Sequence, residues 1–303
     1  MHAFVFPGQG SQAVGMGKDL IEQSPAARAI FEQANAALGF DLAGLCVQGS
    51  DADLTATENA QPAILTVSIA LHAAMRKAFA DSDVGYAPRL VAGHSLGEYS
   101  ALVAAGALSF ADALRLVRRR GELMAASNEG SMAAVLGLDL APLAEICAGV
   151  SEYGPCVVAN QNAPGQLVIS GATEAVQAAG ERAKAAGAKR VMPLNVSAAF
   201  HSPLMEPTAQ RLAQDIERTE FFETRSGVVA NSSAQTLHTP TEFRRELVEQ
   251  ITAPVLWIST IEAMVQQGIT NIIEIGPGSV LTGLIKRIAP ELPRRNISKW
   301  ADV

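Results

Sequence analysis

The chain has 303 residues, 49% of them hydrophobic and only 5% aromatic, enough apolar material for one large domain or two. Its many small apolar residues suit helices packed on a parallel sheet. The formal net charge of −7 excludes the basic field that general nucleic-acid binding needs, so any acidic partner would have to meet a local basic patch.

The opening "MHAFVFPGQG" has an apolar run broken at once by Pro7 and Gly8, too short for a signal peptide, and no later run reaches membrane-span length. Cys46, Cys147 and Cys156 lack metal-ligand spacing and read as buried reduced thiols. The expectation is a soluble cytoplasmic protein, acting as a monomer, without a metal.

Residues 3–6 read as a short buried strand. The turn after it, "FPGQGSQAVGMG", contains a G-x-G-x-x-A match, but Gly15 and Gly17 interrupt the helix a dinucleotide site needs. The better reading is a turn whose glycines let backbone N–H groups approach a reacting atom. Residues 59–80 carry a long helical pattern, and residues 89–92 form a second buried strand.

"VAGHSLGEYSAL" follows, with Ser95 between Gly93 and Gly97. A strand, a tight turn and a helix around G-x-S-x-G push a hydroxyl out at the carboxyl end of a sheet, and the new helix aims free N–H groups at the same place. The bland alternative is a glycine-bounded turn with a capping serine. Glu98 reads as a first-turn acid favoured by the helix dipole, pointing along the helix.

The next helix follows Ser109, which is placed to cap it, with Asp112 bonding back. It holds Arg115, Arg118, Arg119 and Arg120. Arg115 and Arg118 share a polar stripe with Glu122, and Arg119 lies on its edge. Arg120 instead has Leu116, Val117, Leu123 and Met124 three and four residues away, so it projects from the apolar stripe. A buried guanidinium is costly unless paired, and its partner is either a structural carboxylate or a ligand's.

"SMAAVLGL", "PCVVAN", "QLVISG" and "KRVMPL" then read as four short strands, with helices over residues 141–148 and 173–186. The order β-α-β-β-α-β is a ferredoxin-like unit. The division expected is a large α/β part over residues 1–126 and 196–303, with residues 127–195 as a small inserted α+β subdomain. Near the end, "NIIEIG" reads as a strand and "SVLTGLIKRI" as a helix.

A serine at its free pKa is a poor nucleophile and needs a base. Five histidines are available. His2 opens the first strand. His72 lies within a helix. His94 adjoins Ser95, and neighbours at a strand end point to opposite sides. His238 looks solvated, just before a helix start at Thr239 or Thr241. His201, in "NVSAAFHSPLM", sits in a loop ahead of a Ser-Pro helix opening, where catalytic residues tend to sit. Spacing favours it without excluding the others, and announces no orienting carboxylate.

Taken together, "FPGQGSQ" (6–12), "QPA" (61–63), "GHSLGEYSAL" (93–102), "RRGELM" (119–124), "NAPGQLVISG" (162–171), "VSAAFHSPLM" (196–205) and "EIGPGSVLTGL" (274–284) resemble the malonyl-CoA:acyl-carrier-protein transacylases, stand-alone relatives of polyketide-synthase acyltransferase domains. The motifs cover nearly the whole chain in family order. The resemblance implies a hydrolase-like α/β core, with a mainly parallel sheet and helices on both sides, plus the ferredoxin-like insert. It implies malonyl transfer from malonyl-CoA to phosphopantetheinylated acyl carrier protein without a cofactor. It puts the nucleophile on Ser95, the base on His201, and the oxyanion hole on the N–H groups of Gln9 and Leu96. It puts the malonyl carboxylate on Arg120 and the carbonyl that steadies the histidine near Gln250. Phe200 before the histidine, and Leu96 after the serine, go with malonyl rather than methylmalonyl. The competing classes are a serine esterase or thioesterase on the same core, and a non-catalytic binder of acyl carrier protein.

Overall fold

The first apolar run becomes the middle of a sheet. The computed structural model describes residues 1–79, 87–196 and 198–303; Ala80, the expected end of the first long helix, and Ser197 of the histidine motif lie outside them. Ten strands occur among the described residues: β1 His2–Phe6, β2 Leu90–Gly93, β3 Ser131–Leu136, β4 Cys156–Ala163, β5 Gln166–Gly171, β6 Arg190–Pro193, β7 Gly227–Val229, β8 Thr236–Leu237, β9 Asn271–Ile275 and β10 Arg294–Ile297.

Six of them form one sheet in the order β10-β9-β1-β2-β7-β8. All neighbours run parallel except β7 and β8. In β1, Phe4 and Phe6 pack into one hydrophobic cluster and Ala3 and Val5 into another. That alternation shows a sheet covered on both faces, as parallel sheets require. The helix Thr57–Phe79 lies in the first cluster and is buried all round from Ala60 to His72, so it behaves as a core helix rather than an amphipathic one.

The other four strands form an antiparallel sheet in the order β4-β5-β3-β6. With helices Leu140–Ala148 and Thr173–Ala185 it has its own core, built on Val135, Leu143, Leu167, Ile169 and Ala179. This is the strand order of a ferredoxin-like unit. β4 also reaches the large sheet's side of the molecule. Gln161 N–H donates to Val255 O at 2.9 Å and Val255 N–H to Ala159 O at 2.8 Å. Arg287 donates to Gln166 Oε1 and Pro164 O, both at 2.6 Å.

All three cysteines are buried free thiols. Among the described residues no helix is long and apolar enough to cross a membrane, and no group of three or more His, Cys, Asp or Glu is placed to hold a metal.

Candidate active site

The carboxyl ends of β1 and β2 lie side by side, with Phe6 level with Gly93. Ligand crevices of parallel sheets open at such ends. The two turns that leave them touch. A Cβ on Gly93 would lie 1.8 Å from the Gly97 carbonyl carbon, and one on Gly97 would lie 2.1 Å from Phe6 O. Only glycine permits this approach, and it forces the residue between them into a sharp elbow. Ser95 has φ 52°, in the left-handed region where a non-glycine residue is strained. His201 has φ 57°.

The elbow presents Ser95 Oγ 2.8 Å from His201 Nε2. The other ring nitrogen, Nδ1, faces two carbonyl oxygens, Gln250 O at 2.8 Å and Ala253 O at 3.2 Å. Carbonyls only accept, so Nδ1 carries the proton and Nε2 is the free acceptor. Arg120 Nη2 donates to the same Ser95 Oγ at 3.1 Å, which leaves the hydroxyl proton directed at His201. Burial pushes the His201 pKa down to about 3, the nearby Arg120 charge adds to this, and the carbonyl hydrogen bonds oppose it. The imidazole is therefore neutral and able to accept a proton. Among the described residues no carboxylate orients it; main-chain oxygens do.

Arg120 is 1% exposed, in the middle of the helix Phe110–Ala126. Its partners are neutral. Nη1 donates to Gln61 Oε1 at 2.9 Å, Nη2 to Gln250 Oε1 at 3.1 Å, and the guanidinium carbon lies 5.9 Å from the Tyr99 ring centre. Among the described residues it makes no ion pair, unlike Arg115, Arg118 and Arg119, which pair with Asp112, Glu122 and Asp215 on the outer face. Burial lowers its pKa.

Ser95 N–H is taken by Asn231 Oδ1 at 2.7 Å. By contrast, the N–H groups of Gln9 and Leu96 have no acceptor among the described residues. Gln9, Ser95, Arg120, Phe200 and His201 line one cavity of ≈ 290 Å³, with Met124 and Met132 supplying apolar wall. Leu96 is fully buried in the core and its side chain does not line the cavity. Gln250 stands behind the wall.

One expectation needs correction. Glu98 is not a dipole-facing acid pointing along its helix. It is 1% exposed, and its carboxylate accepts from Asn231 N–H at 3.3 Å and from the Gln250 amide. His94 also lines the cavity, but its Nε2 is held by Asn162 Oδ1 at 2.7 Å and its ring lies against Trp257 of the second hydrophobic cluster, which occupies it structurally. Asn231 and Gln61 were not singled out in the sequence as site residues. The signal for Asn231 was its place as the first polar residue after the apolar run "GVVA".

Comparison with known proteins agrees with this geometry. The family model described as "Acyl transferase domain" matches residues 3–297. The malonyl CoA-acyl carrier protein transacylase of Bacillus subtilis is 47% identical over 290 residues, covering 94% of this chain and 90% of that protein. The Escherichia coli protein of the same name is 45% identical, with 96% and 93% covered. A malonyl-transacylase solved in complex with its type II PKS acyl-carrier protein superposes with a TM-score of 0.94 at 42% identity, over 99% of this chain and 97% of that one. The paired glycines, the serine elbow and the unpaired arginine thus sit in a chain that belongs to the acyl transferase domain family, among the malonyl CoA-acyl carrier protein transacylases.

Proposed function

We propose that this chain transfers the malonyl group of malonyl-CoA to the phosphopantetheine thiol of acyl carrier protein through a malonyl ester on Ser95. The observation that carries this reading is a single oxygen, Ser95 Oγ, flanked by a neutral imidazole at 2.8 Å and by a buried guanidinium without an anionic partner at 3.1 Å. The first makes a nucleophile. The second gives a reason to prefer an acyl group that ends in a carboxylate.

His201 Nε2 takes the Ser95 proton as Oγ attacks the thioester carbon. The oxyanion that forms is held by the Gln9 and Leu96 N–H groups, each worth about 3 kcal/mol in comparable sites. Asn231 occupies the Ser95 N–H, so the hole is built from these two neighbours instead. The C–S bond then breaks, and the imidazolium returns the proton to the CoA sulfur. In the second half-reaction His201 takes the proton of the incoming thiol, which attacks the ester, and the proton ends on Ser95 Oγ. Arg120 binds the malonyl carboxylate by its fork. Neutralising that charge offsets one of the causes that depress His201, after burial, so the base strengthens when the right acyl group is bound.

Phe200 on the cavity wall supports a compact, unbranched acyl group. The separate core of the four-stranded sheet supports the division into residues 1–126 with 196–303 and an insert of residues 127–195. A monomeric, cytoplasmic enzyme of fatty-acid or polyketide synthesis completes the proposal.

Intact-mass measurement after mixing with malonyl-CoA tests it. A malonyl-sized increment that disappears on adding holo acyl carrier protein is expected. Rapid hydrolysis without transfer would identify a thioesterase, and no increment at all a non-catalytic binder.

A further inference from the structure

We propose that Glu98 is a positioning residue for acyl selection, acting through the Gln250 amide to set the hydrogen-bonding face that Arg120 meets. The proposal rests on the reading of Arg120 as the malonyl carboxylate's partner.

Glu98 is the second residue of the helix Gly97–Ala105, where an acid ordinarily faces water. Here it is buried and makes no ion pair among the described residues. Both groups that point at it are donors, the Asn231 N–H and the Gln250 amide nitrogen. That amide nitrogen also donates to Ser95 O at 3.0 Å. With two acceptors fixing its nitrogen end, the Gln250 side chain has one orientation left, with Oε1 toward Arg120 Nη2 at 3.1 Å. Reversed, it would set an NH2 against a guanidinium, donors facing donors.

The same carboxylate stands one residue behind the rest of the site. Gln250 O receives His201 Nδ1–H, and Asn231 receives Ser95 N–H while its own amide donates to Gly93 O at 2.7 Å. Glu98 reaches Arg120 only through the Gln250 amide. A direct ion pair would occupy the guanidinium, whereas a carboxyl group held beyond an amide leaves it without an anionic partner for an incoming carboxylate to supply. Burial, and after it the nearby Glu246, raises the Glu98 pKa well above the ordinary carboxylate value, with Gln250, Asn231 and Arg120 opposing only in part, so its role rests on its hydrogen-bond geometry.

The test is Glu98→Gln, which keeps the shape but presents an NH2 where one of the two donors needs an acceptor. Loading of Ser95 from malonyl-CoA and from acetyl-CoA is followed in single turnovers by intact mass, with Arg120→Ala in parallel. The expected result is a fall of about tenfold in the malonyl-to-acetyl ratio for Glu98→Gln. An unchanged ratio, whether or not both rates drop, overturns the proposal if Arg120→Ala still collapses the ratio. If Arg120→Ala leaves the ratio unchanged, the carboxylate reading of Arg120 fails and this proposal with it. Should Glu98→Gln not fold, Gln250→Leu removes the amide itself. It should lower the ratio likewise, and an unchanged ratio there overturns the proposal equally.

Discussion

At the scale of single residues, the site works by leaving some groups unsatisfied. Ser95 is strained, His201 is kept neutral, and the N–H groups of Gln9 and Leu96 have no acceptor among the described residues. Replacing Ser95 by alanine should abolish the malonyl adduct while the far-ultraviolet spectrum stays unchanged; an adduct on the variant would move the nucleophile elsewhere. The pH dependence follows from the sign of the His201 shift. Its pKa falls from an ordinary 6.5 to about 3, so the free enzyme keeps a neutral imidazole at any pH above that. Loading kcat/KM, which reports the free enzyme, should therefore stay flat from about pH 8 to pH 5. A descending limb near 6.5 in stopped-flow loading would mean an imidazole open to water. Helical spacing revealed Arg120 because a polar residue on an apolar stripe is visible in one dimension. It could not reveal Asn231 or the burial of Glu98, because these contacts join residues more than a hundred apart.

At the scale of elements, the helix Phe110–Ala126 carries two kinds of arginine on its two faces. Ser109 caps it as expected, accepting Asp112 N–H at 3.1 Å, but its hydroxyl also donates to the Asp112 carboxylate at 2.6 Å. The outer arginines pair at the surface, where such pairs contribute little. Arg120 differs in making no ion pair among the described residues, and under the proposed function its anionic partner is the ligand's carboxylate. Removing one half of a desolvated pair costs about 3–5 kcal/mol. Arg120→Ala should thus slow malonyl loading by roughly two to three orders of magnitude and leave acetyl loading steady or faster. Arg120→Lys should recover only part, since an ammonium cannot reproduce the fork. Parallel loss of both acyl transfers together with a lower Tm would instead mark a structural arginine. The legible elements were those with a strong period. β10, reading "RRNI", was not, because an edge strand at the rim tolerates exposed arginines. The short helices before residue 57 escaped too, since segments of five to seven residues complete too few turns to show a stripe.

At the scale of the whole molecule, net negative charge must be reconciled with an acidic partner. Two exposed basic pairs offer themselves, Lys189 with Arg190 at the start of β6 and Lys286 with Arg287 at the end of the helix Val280–Ile288. Reversing the charge of either pair should raise the KM for carrier protein at low salt and leave loading from malonyl-CoA unaltered. Unchanged KM for both would put the docking patch elsewhere. Arg287 also ties the β4–β5 hairpin to its helix, so its reversal needs a Tm control. The architecture was readable because each sheet follows a known grammar of strand and helix; how β4 docks against Val255 was not, because that pairing is a single bridge without pattern. One consequence of the strand order concerns the making of the chain. β1 ends at Phe6, yet one of its two neighbours, β9, begins only at Asn271. At synthesis rates of about 5–20 residues per second, β1 keeps an open edge for roughly 10–60 s, exposed to wrong partners until β9 is made. Ser95 and His201 are both made well before that, but the carbonyls that fix the imidazole, at Gln250 and Ala253, emerge only shortly before β9. The nascent chain thus carries Ser95 and His201 well before the carbonyls that hold the imidazole exist.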